Sequence, residues 1–569
     1  MRLLPIMAAL LGAAGTHAAT AQSTAPRFTV SFPASVRTEP VTGRVFVFVT
    51  TDSAPEPRFQ SGGLSSTAPF FGRDVSGLAP SAMVIVDASA PGFPLHGLAE
   101  LPEGDYYVQA VVNVYTQFHR ADGHTIWAHM DQWEGQQFAS SPGNLVSAVR
   151  RVHVAPGATI PLELTRVIPP VVVPEDTRWI KHVKIQSTLL TKFWGRPMYL
   201  GAVVLLPAGY DEHPDVRYPV DYEQDHFSLA PPYHFQTTAP VPVTEREAGA
   251  RAWVINLRRG EGYKLYQDWS SADFPRMLMV TFLHPTPYYD DSYAVNSANN
   301  GPYGDAIMTE LIPYIESHFR IVREPYARVL SGGSTGGWES LALQAYHPDF
   351  FGGAWVYYPD PVDFHRWVTS DVYAEDDAYL APGTRWLPHE RPFMRTPEGQ
   401  PMLTMRQVDQ LENTLGTHGR SAEQQQAWEA VYGPVGEDGY PTPLWNHGTG
   451  TIDHAVAAYM RDHGYDLTAY IHDHWPQIGS RLAGRLHVYT GDMDHFYLNL
   501  AVYRLQEMLD ALRDPPYGGS FTYGRPIKGH GIRPTTTGDM LRAMAVEIAR
   551  NAPGGAADGW HYPVPVTVP

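Results

Sequence analysis

The sequence predicts a multi-domain protein: an N-terminal all-β sandwich, then an α/β part in which a mostly parallel sheet is flanked by helices and interrupted by a large insertion. Three observations carry this. The chain has 569 residues, too many for one hydrophobic core. Its first third consists of short β-branched and aromatic runs separated by Gly, Pro and Ser. From about residue 178 apolar strands alternate with helical stripes, the pattern of a sheet buried on both faces.

In chain order, Met1-Arg2, the apolar run Leu3 to Ala14 and an Ala-x-Ala pattern ending at Ala21 read as an export signal over residues 1–21. The run is too short to anchor the chain in a bilayer, so a secreted or periplasmic protein is expected. Residues 26–166 hold the strand-like runs Phe28–Phe32, Arg44–Thr50, Met83–Val86, Tyr106–Tyr115, Val152–Val154 and Ile160–Leu164. They are assigned to the β-sandwich. Residues 167–177, with the run Val167-Ile-Pro-Pro-Val-Val-Val-Pro174, form a proline-stiffened linker between domains. Residues 178–569 form the α/β domain, with Leu278–Phe282, Val329–Leu330 and Leu486–Tyr489 as buried parallel strands. Ile307, Leu311, Ile315 and Phe319 fall four apart and predict a helix over 305–319; Leu498, Val502, Leu505 and Leu509 predict another over 498–512. Between about 360 and 480 the pattern loosens into a His-, Asp-, Trp- and Pro-rich stretch with a helix near Ser421–Val431. It reads either as an insertion over the functional face or as helices packed on a sheet edge.

A net charge of −18, from 41 basic and 59 acidic residues, argues against nucleic acid and anionic lipid as partners. No later stretch is long and apolar enough for a membrane helix. The chain has no cysteine, which excludes disulfides, a thiol nucleophile and thiolate metal sites.

The sharpest chemical signal is Ser331-Gly-Gly-Ser-Thr-Gly-Gly-Trp338, which holds Gly-x-Ser-x-Gly between a strand and a helix. Such a turn exposes Ser334, and the glycines at 332 and 336 leave room for it. The helix N-terminus places positive potential where an oxyanion forms, with the amide of Thr335 as one donor. A serine needs a base, and the base needs an orienting carboxylate. In the order serine, acid, histidine, the strand Leu486–Tyr489 is followed by Asp492 and Asp494, either of which is placed for the acid. Lys528-Gly-His-Gly531 then supplies His530.

The chain resembles the esterase group that includes esterase D and enterochelin esterase-like proteins, within the α/β-hydrolase superfamily. The resemblance runs from Ile185 to His530 through Gly195-Arg-Pro197, Leu206-Pro-Ala-Gly-Tyr210, Tyr218-Pro-Val220, Glu310-Leu-Ile-Pro313, Gly332–Gly337, His347–Phe351 and Gly491-x-x-Asp494. It implies an α/β-hydrolase fold, no cofactor, and Ser334, Asp494 and His530 as a triad. The family's first central strand usually ends in His-Gly, whose backbone completes the oxyanion hole. Here the stretch is Val220-Asp-Tyr-Glu-Gln-Asp-His-Phe227, with His226 as the candidate second donor.

The expected activity is therefore hydrolysis of a carboxylic ester, on a small molecule or linked to a polysaccharide. A peptidase or acyltransferase of the same fold and a non-catalytic glycan-binding protein are the alternatives. The pairs Asp453-His454, Asp462-His463 and His472-Asp-His474 raise a metal site, but no His-Glu-x-x-His pattern accompanies them and none is assigned. The aromatic piece Phe118–Trp127 and Trp133 suits packing between domains better than sugar stacking.

Overall fold

The computed structural model describes residues 25–64, 68–244, 252–383 and 386–562. The export signal expected over 1–21 lies outside the described residues. Among them, no helix is long and apolar enough to cross a membrane.

The C-terminal part is built on an eight-stranded sheet. Its spatial order is Ile180–Ser187, Met198–Leu205, Leu278–Leu283, Val220–Gln224, Arg328–Gly333, Gly353–Tyr357, Leu486–Gly491 and Ser520–Gly524. The first two pairings are antiparallel. Every later one is parallel. Parallel neighbours need long crossovers, and helices on both faces supply them. Leu278–Leu283 and Gly353–Tyr357 are consequently buried at every position, which is why their sequences show no polar alternation.

The helical stripe expected over 305–319 is present as Tyr303–Ala306, a π-turn over Ile307–Leu311 and Ile312–His318. Pro313 has no amide to donate backwards, and the widened turn lies just ahead of it. Ile307, Leu311 and Ile315 are buried as the spacing requires. Asn499–Ala511 carries the second stripe, with Val502, Leu505 and Leu509 buried.

The N-terminal part is all β. Its strands hydrogen-bond along one path: Val84–Val86, Arg27–Ser31, Thr159–Val167, Leu145–Ser147, Gly104–Val114, Val41–Thr50, Phe70–Leu78 and Gly92–Phe93. Arg150–Val154 also pairs with Gly104–Val114. Alternation in Val41–Thr50 sends Val45, Val47 and Val49 into a core shared with Phe28, Val30, Val108, Ile160 and Leu162. Phe46 and Phe48 point the other way and meet Leu411 and Leu415, which belong to the helix Met405–Leu415. Both faces are covered, so the run reads as unbroken apolar sequence.

That helix is one of several joints between the two parts. Arg44 is buried, donates to the carbonyls of Asn413 at 2.9 Å and Thr414 at 2.8 Å, and pairs with Asp74 at 2.7 Å. Phe118, Ile126 and Trp133 lie in the same core as the eight-stranded sheet. Gln136 Nε2 donates to the Thr286 carbonyl at 2.6 Å. Residues 169–176 form no regular structure and are largely exposed, but the elements they connect are tightly joined.

The structure therefore sets an expectation for a chain cut to residues 178–569. It would strip three large side chains from the core, at ~1.5–3 kcal/mol each, against a total stability of about 5–15 kcal/mol. It should be insoluble or lack a cooperative melt by circular dichroism. A soluble, cooperatively melting product would show the joints to be dispensable.

Candidate active site

The strand Arg328–Gly333 ends in a sharp turn at Ser334, whose backbone sits at φ 59° and ψ −122°. A non-glycine residue there costs about 1–3 kcal/mol and is kept only where its surroundings impose it. Here the amide of Ser334 donates to the Tyr357 carbonyl at 3.0 Å, and the Ser334 carbonyl accepts from Trp338 at 3.1 Å and Asp360 at 3.2 Å. Backbone crowds the turn: a Cβ at Gly332 would overlap the Gly336 carbonyl, and one at Gly336 would overlap that of Gln224. The helix Thr335–Tyr346 follows directly. Its first amides have no partner within the helix, and the Ser334 side chain does not cap them, leaving it exposed to the cavity.

Three residues expected from the sequence converge here. Ser334 Oγ lies 3.0 Å from His530 Nε2, and His530 Nδ1 lies 2.8 Å from Asp494 Oδ2. A carboxylate oxygen accepts, so Nδ1 carries the proton and Nε2 is left to accept from the serine. Asp494 is fully buried, and its Oδ1 accepts from the amides of Phe496 at 2.9 Å and Leu498 at 3.4 Å. The rings of Tyr358 and Phe496 flank His530, and its amide donates to His495 Nδ1 at 2.9 Å. Asp492 does not reach the imidazole: its Oδ1 accepts the Lys528 amide at 3.0 Å and so braces the loop that carries His530.

Thr335 sits beside Ser334 at the helix N-terminus, as expected. His226 has other partners. Its amide donates to Asp225 Oδ1 at 2.9 Å, because the short aspartate side chain folds back on the next backbone group. Its Nδ1 lies 3.2 Å from Asp290 and 3.3 Å from Asp291. Burial works against the charged ring, yet the two carboxylates hold its pKa well above the ordinary value.

Sequence reasoning missed Asp360. It lies just beyond Gly353–Tyr357, is 2% exposed, and its Oδ1 is 3.3 Å from Ser334 Oγ. Its Oδ2 accepts from Tyr293 Oη at 2.6 Å, Thr335 Oγ1 at 3.0 Å, Gln424 Nε2 at 3.0 Å and Trp428 Nε1 at 3.3 Å. Burial pushes the carboxyl's pKa upward, and the donors from Tyr293 and Thr335 oppose it. Ser334 and Asp360 border a small cavity with Gln424, Trp428, Phe393, Phe496, Leu498 and Leu64. The loosely patterned stretch and the N-terminal part thus both reach the serine. The available signal was Tyr358-Pro-Asp-Pro361, an acid directly after an apolar strand.

The helix Gln424–Tyr432 that delivers Gln424 and Trp428 is held by Glu412, which accepts the amides of Gln425 at 2.9 Å and Gln426 at 2.8 Å. Burial, with Glu423 nearby, pushes Glu412 up to about 8 despite those amides. The native state therefore keeps a proton that the unfolded chain releases near its ordinary 4.5. This contribution to stability is present in full below that value and is lost as pH rises toward 8. Glu412→Gln cannot ionise, so its denaturant midpoint should fall less than wild type's between about pH 5 and pH 8. Parallel declines would contradict the assignment.

Among the described residues, two groups bring three possible metal-ligand atoms within 4.8 Å: His226 with Asp290 and Asp291, and Asp363 with His365 and Asp466. In the second, Asp363 pairs with Arg504 at 3.0 Å and Asp466 caps a helix at Ala469. The histidines singled out by sequence point elsewhere: His472 to Asp473, His474 to the Tyr470 carbonyl, His454 to Asp376 and His463 to the Tyr459 carbonyl.

A family model described as "Putative esterase" matches residues 197–430. No curated protein matches the chain. Among solved structures the chain is similar to a ferulic acid esterase, at 13% identity over 66% of this chain and 99% of that one, with a TM-score of 0.34. It is similar to an S-formylglutathione hydrolase from Agrobacterium tumefaciens at 11% identity, over 67% and 99% of the chains, with a TM-score of 0.33. It is also similar to the fluorophosphonate-binding serine hydrolase FphF of Staphylococcus aureus at 12% identity, over 65% and 98%, with a TM-score of 0.31.

Proposed function

We propose, from the match of residues 197–430 to the putative esterase model, that this carboxylic ester hydrolase works through an acyl-enzyme on Ser334, with His530 as base and acid and Asp494 orienting it. The observation that carries the proposal is the relay of 3.0 and 2.8 Å from Ser334 through His530 to a buried carboxylate.

The mechanism follows from those atoms. Ser334 Oγ attacks the ester carbonyl carbon as its proton passes to His530 Nε2. The imidazolium that forms is stabilised by Asp494 and held in orientation by it. The Thr335 amide donates to the developing oxyanion, where a preorganised donor is worth about 2.7–4 kcal/mol. His530 then protonates the leaving alcohol, and the C–O bond breaks. Water, deprotonated by the same Nε2, releases the acid and restores the serine. The second oxyanion donor is the amide of His226 once it turns from Asp225 to the substrate.

Chain organisation is proposed on the same footing. Residues 26–166 form a β-sandwich, because strands from both ends of the hydrogen-bonding path share one core. Residues 167–177 connect it to the hydrolase domain of 178–569, with an insertion over about 360–480 that supplies Phe393, Gln424 and Trp428 to the cavity. The basic start and apolar run of the first 21 residues support export to the periplasm or the medium.

The test is turnover of a panel of short-chain, aryl and feruloyl esters beside matched peptide amides. Multiple turnover of esters, with a burst of alcohol release, is expected. Turnover confined to amides would favour a peptidase, and absence of both would leave a binding protein.

A further inference from the structure

We propose that Asp360 anchors an ammonium group on the carbon next to the scissile carbonyl, so that the preferred substrates are α-aminoacyl esters. This deepens the acyl-enzyme reading and rests on it.

The two oxygens of Asp360 are unequally occupied. Oδ2 takes four donors, which lock the carboxylate in place. Oδ1 has only Ser334 Oγ, at 3.3 Å, among the described residues, Asp360 lines the cavity, and a carboxylate oxygen accepts more than one donor. An anion this close to the reacting carbonyl would repel the oxyanion that forms there unless a cation stood between them. Apart from Ser334 and Gln424, the rest of the wall is made of Trp428, Phe393 and Phe496 with Leu64 and Leu498. A carboxylate among aromatic faces is the environment that binds an ammonium. A neutral acyl chain in the same place would leave the buried anion against hydrocarbon.

The position of the carboxylate fixes where the ammonium sits. Gly353–Tyr357 lies beside Arg328–Gly333 on the side away from Val220–Gln224. The carbonyl oxygen turns to the Thr335 amide and the acyl substituent turns to Asp360. By standard bond lengths an α-nitrogen lies about 2.5 Å from the carbonyl carbon. A carbonyl carbon bonded to Ser334 Oγ therefore brings that nitrogen within hydrogen-bond reach of Oδ1.

Binding also settles a competition. The Ser334 hydroxyl has one proton and two acceptors, His530 Nε2 at 3.0 Å and Asp360 Oδ1 at 3.3 Å. An ammonium occupying Oδ1 leaves the proton to His530. The Oγ–carbonyl bond then forms, the bond to the leaving alcohol breaks, and the serine proton departs with that alcohol. Hydrolysis of the aminoacyl-enzyme by water yields the free amino acid.

The experiment measures kcat/KM of wild type and Asp360→Asn at about pH 7, where an α-amino group is largely protonated, for the methyl esters of alanine, N-acetylalanine, lactate and propionate. Labelling of Ser334 by a fluorophosphonate is followed in the same preparations. Wild type should prefer the alanine ester to the other three by about 10- to 100-fold, the usual worth of a charged hydrogen bond. In Asp360→Asn the ratio should collapse toward parity while Ser334 still labels. A labelled wild type that handles propionate or lactate as well as alanine overturns the ammonium site and leaves the esterase reading standing. Absence of both label and ester turnover overturns the two together. Should Asp360→Asn fail to fold, the wild-type ratio against lactate, in which a neutral hydroxyl of similar size replaces the ammonium, decides alone.

Discussion

Ser334→Ala should lower ester turnover by roughly 10³-fold or more, with the melting temperature changed little. The hydroxyl lies 3.0 Å from His530 and 3.3 Å from Asp360. Loss of one oxygen removes little packing. The turn itself is held by backbone bonds of Ser334 to Tyr357, Trp338 and Asp360, which alanine retains. Turnover and a thermal melt on the same purified protein check this. Near-normal activity in a folded variant would remove Ser334 from the chemistry.

The second large effect separates two aspartates only two positions apart. Asp494→Asn keeps the shape but removes the charge that stabilises the imidazolium, and its amide can force the wrong tautomer on His530. A fall of about 10³- to 10⁴-fold is expected. Asp492→Asn retains an oxygen to accept the Lys528 amide and should cost little turnover. Both variants measured on one ester give the answer. A larger loss at 492 would reverse the roles, and no loss at either would place the acid elsewhere.

What the sequence made legible was local or ordered along the chain. The glycines at 332 and 336 announce a crowded turn, because only residues without a Cβ fit against the Gln224 and Gly336 carbonyls. Strand order left Asp492 and Asp494 both open for the acid and placed His530 in a glycine-flanked loop beyond the helix over 498–512; the family resemblance singled out Asp494. Asp360 was not legible in this way. Its partners Tyr293, Thr335, Gln424 and Trp428 span more than a hundred residues, and only folding brings them to one oxygen. His226 was chosen by analogy of position, and the hydrogen bond of its amide to the Asp225 carboxylate is not visible in the sequence pattern. The strand Ile180–Ser187 was missed because its alternating polar residues resemble an exposed edge, which it is. The joints at Arg44 and Trp133 depend on contacts distant in sequence, so a proline-stiffened stretch gave no sign of them.

Everything proposed for the site depends on Ser334 being an activated nucleophile. The most direct measurement is fluorophosphonate labelling of the folded protein, followed by peptide mass mapping. Stoichiometric label on Ser334 is expected, lost in Ser334→Ala and strongly slowed in His530→Ala. Label on a different serine, or none on a folded protein, would contradict it.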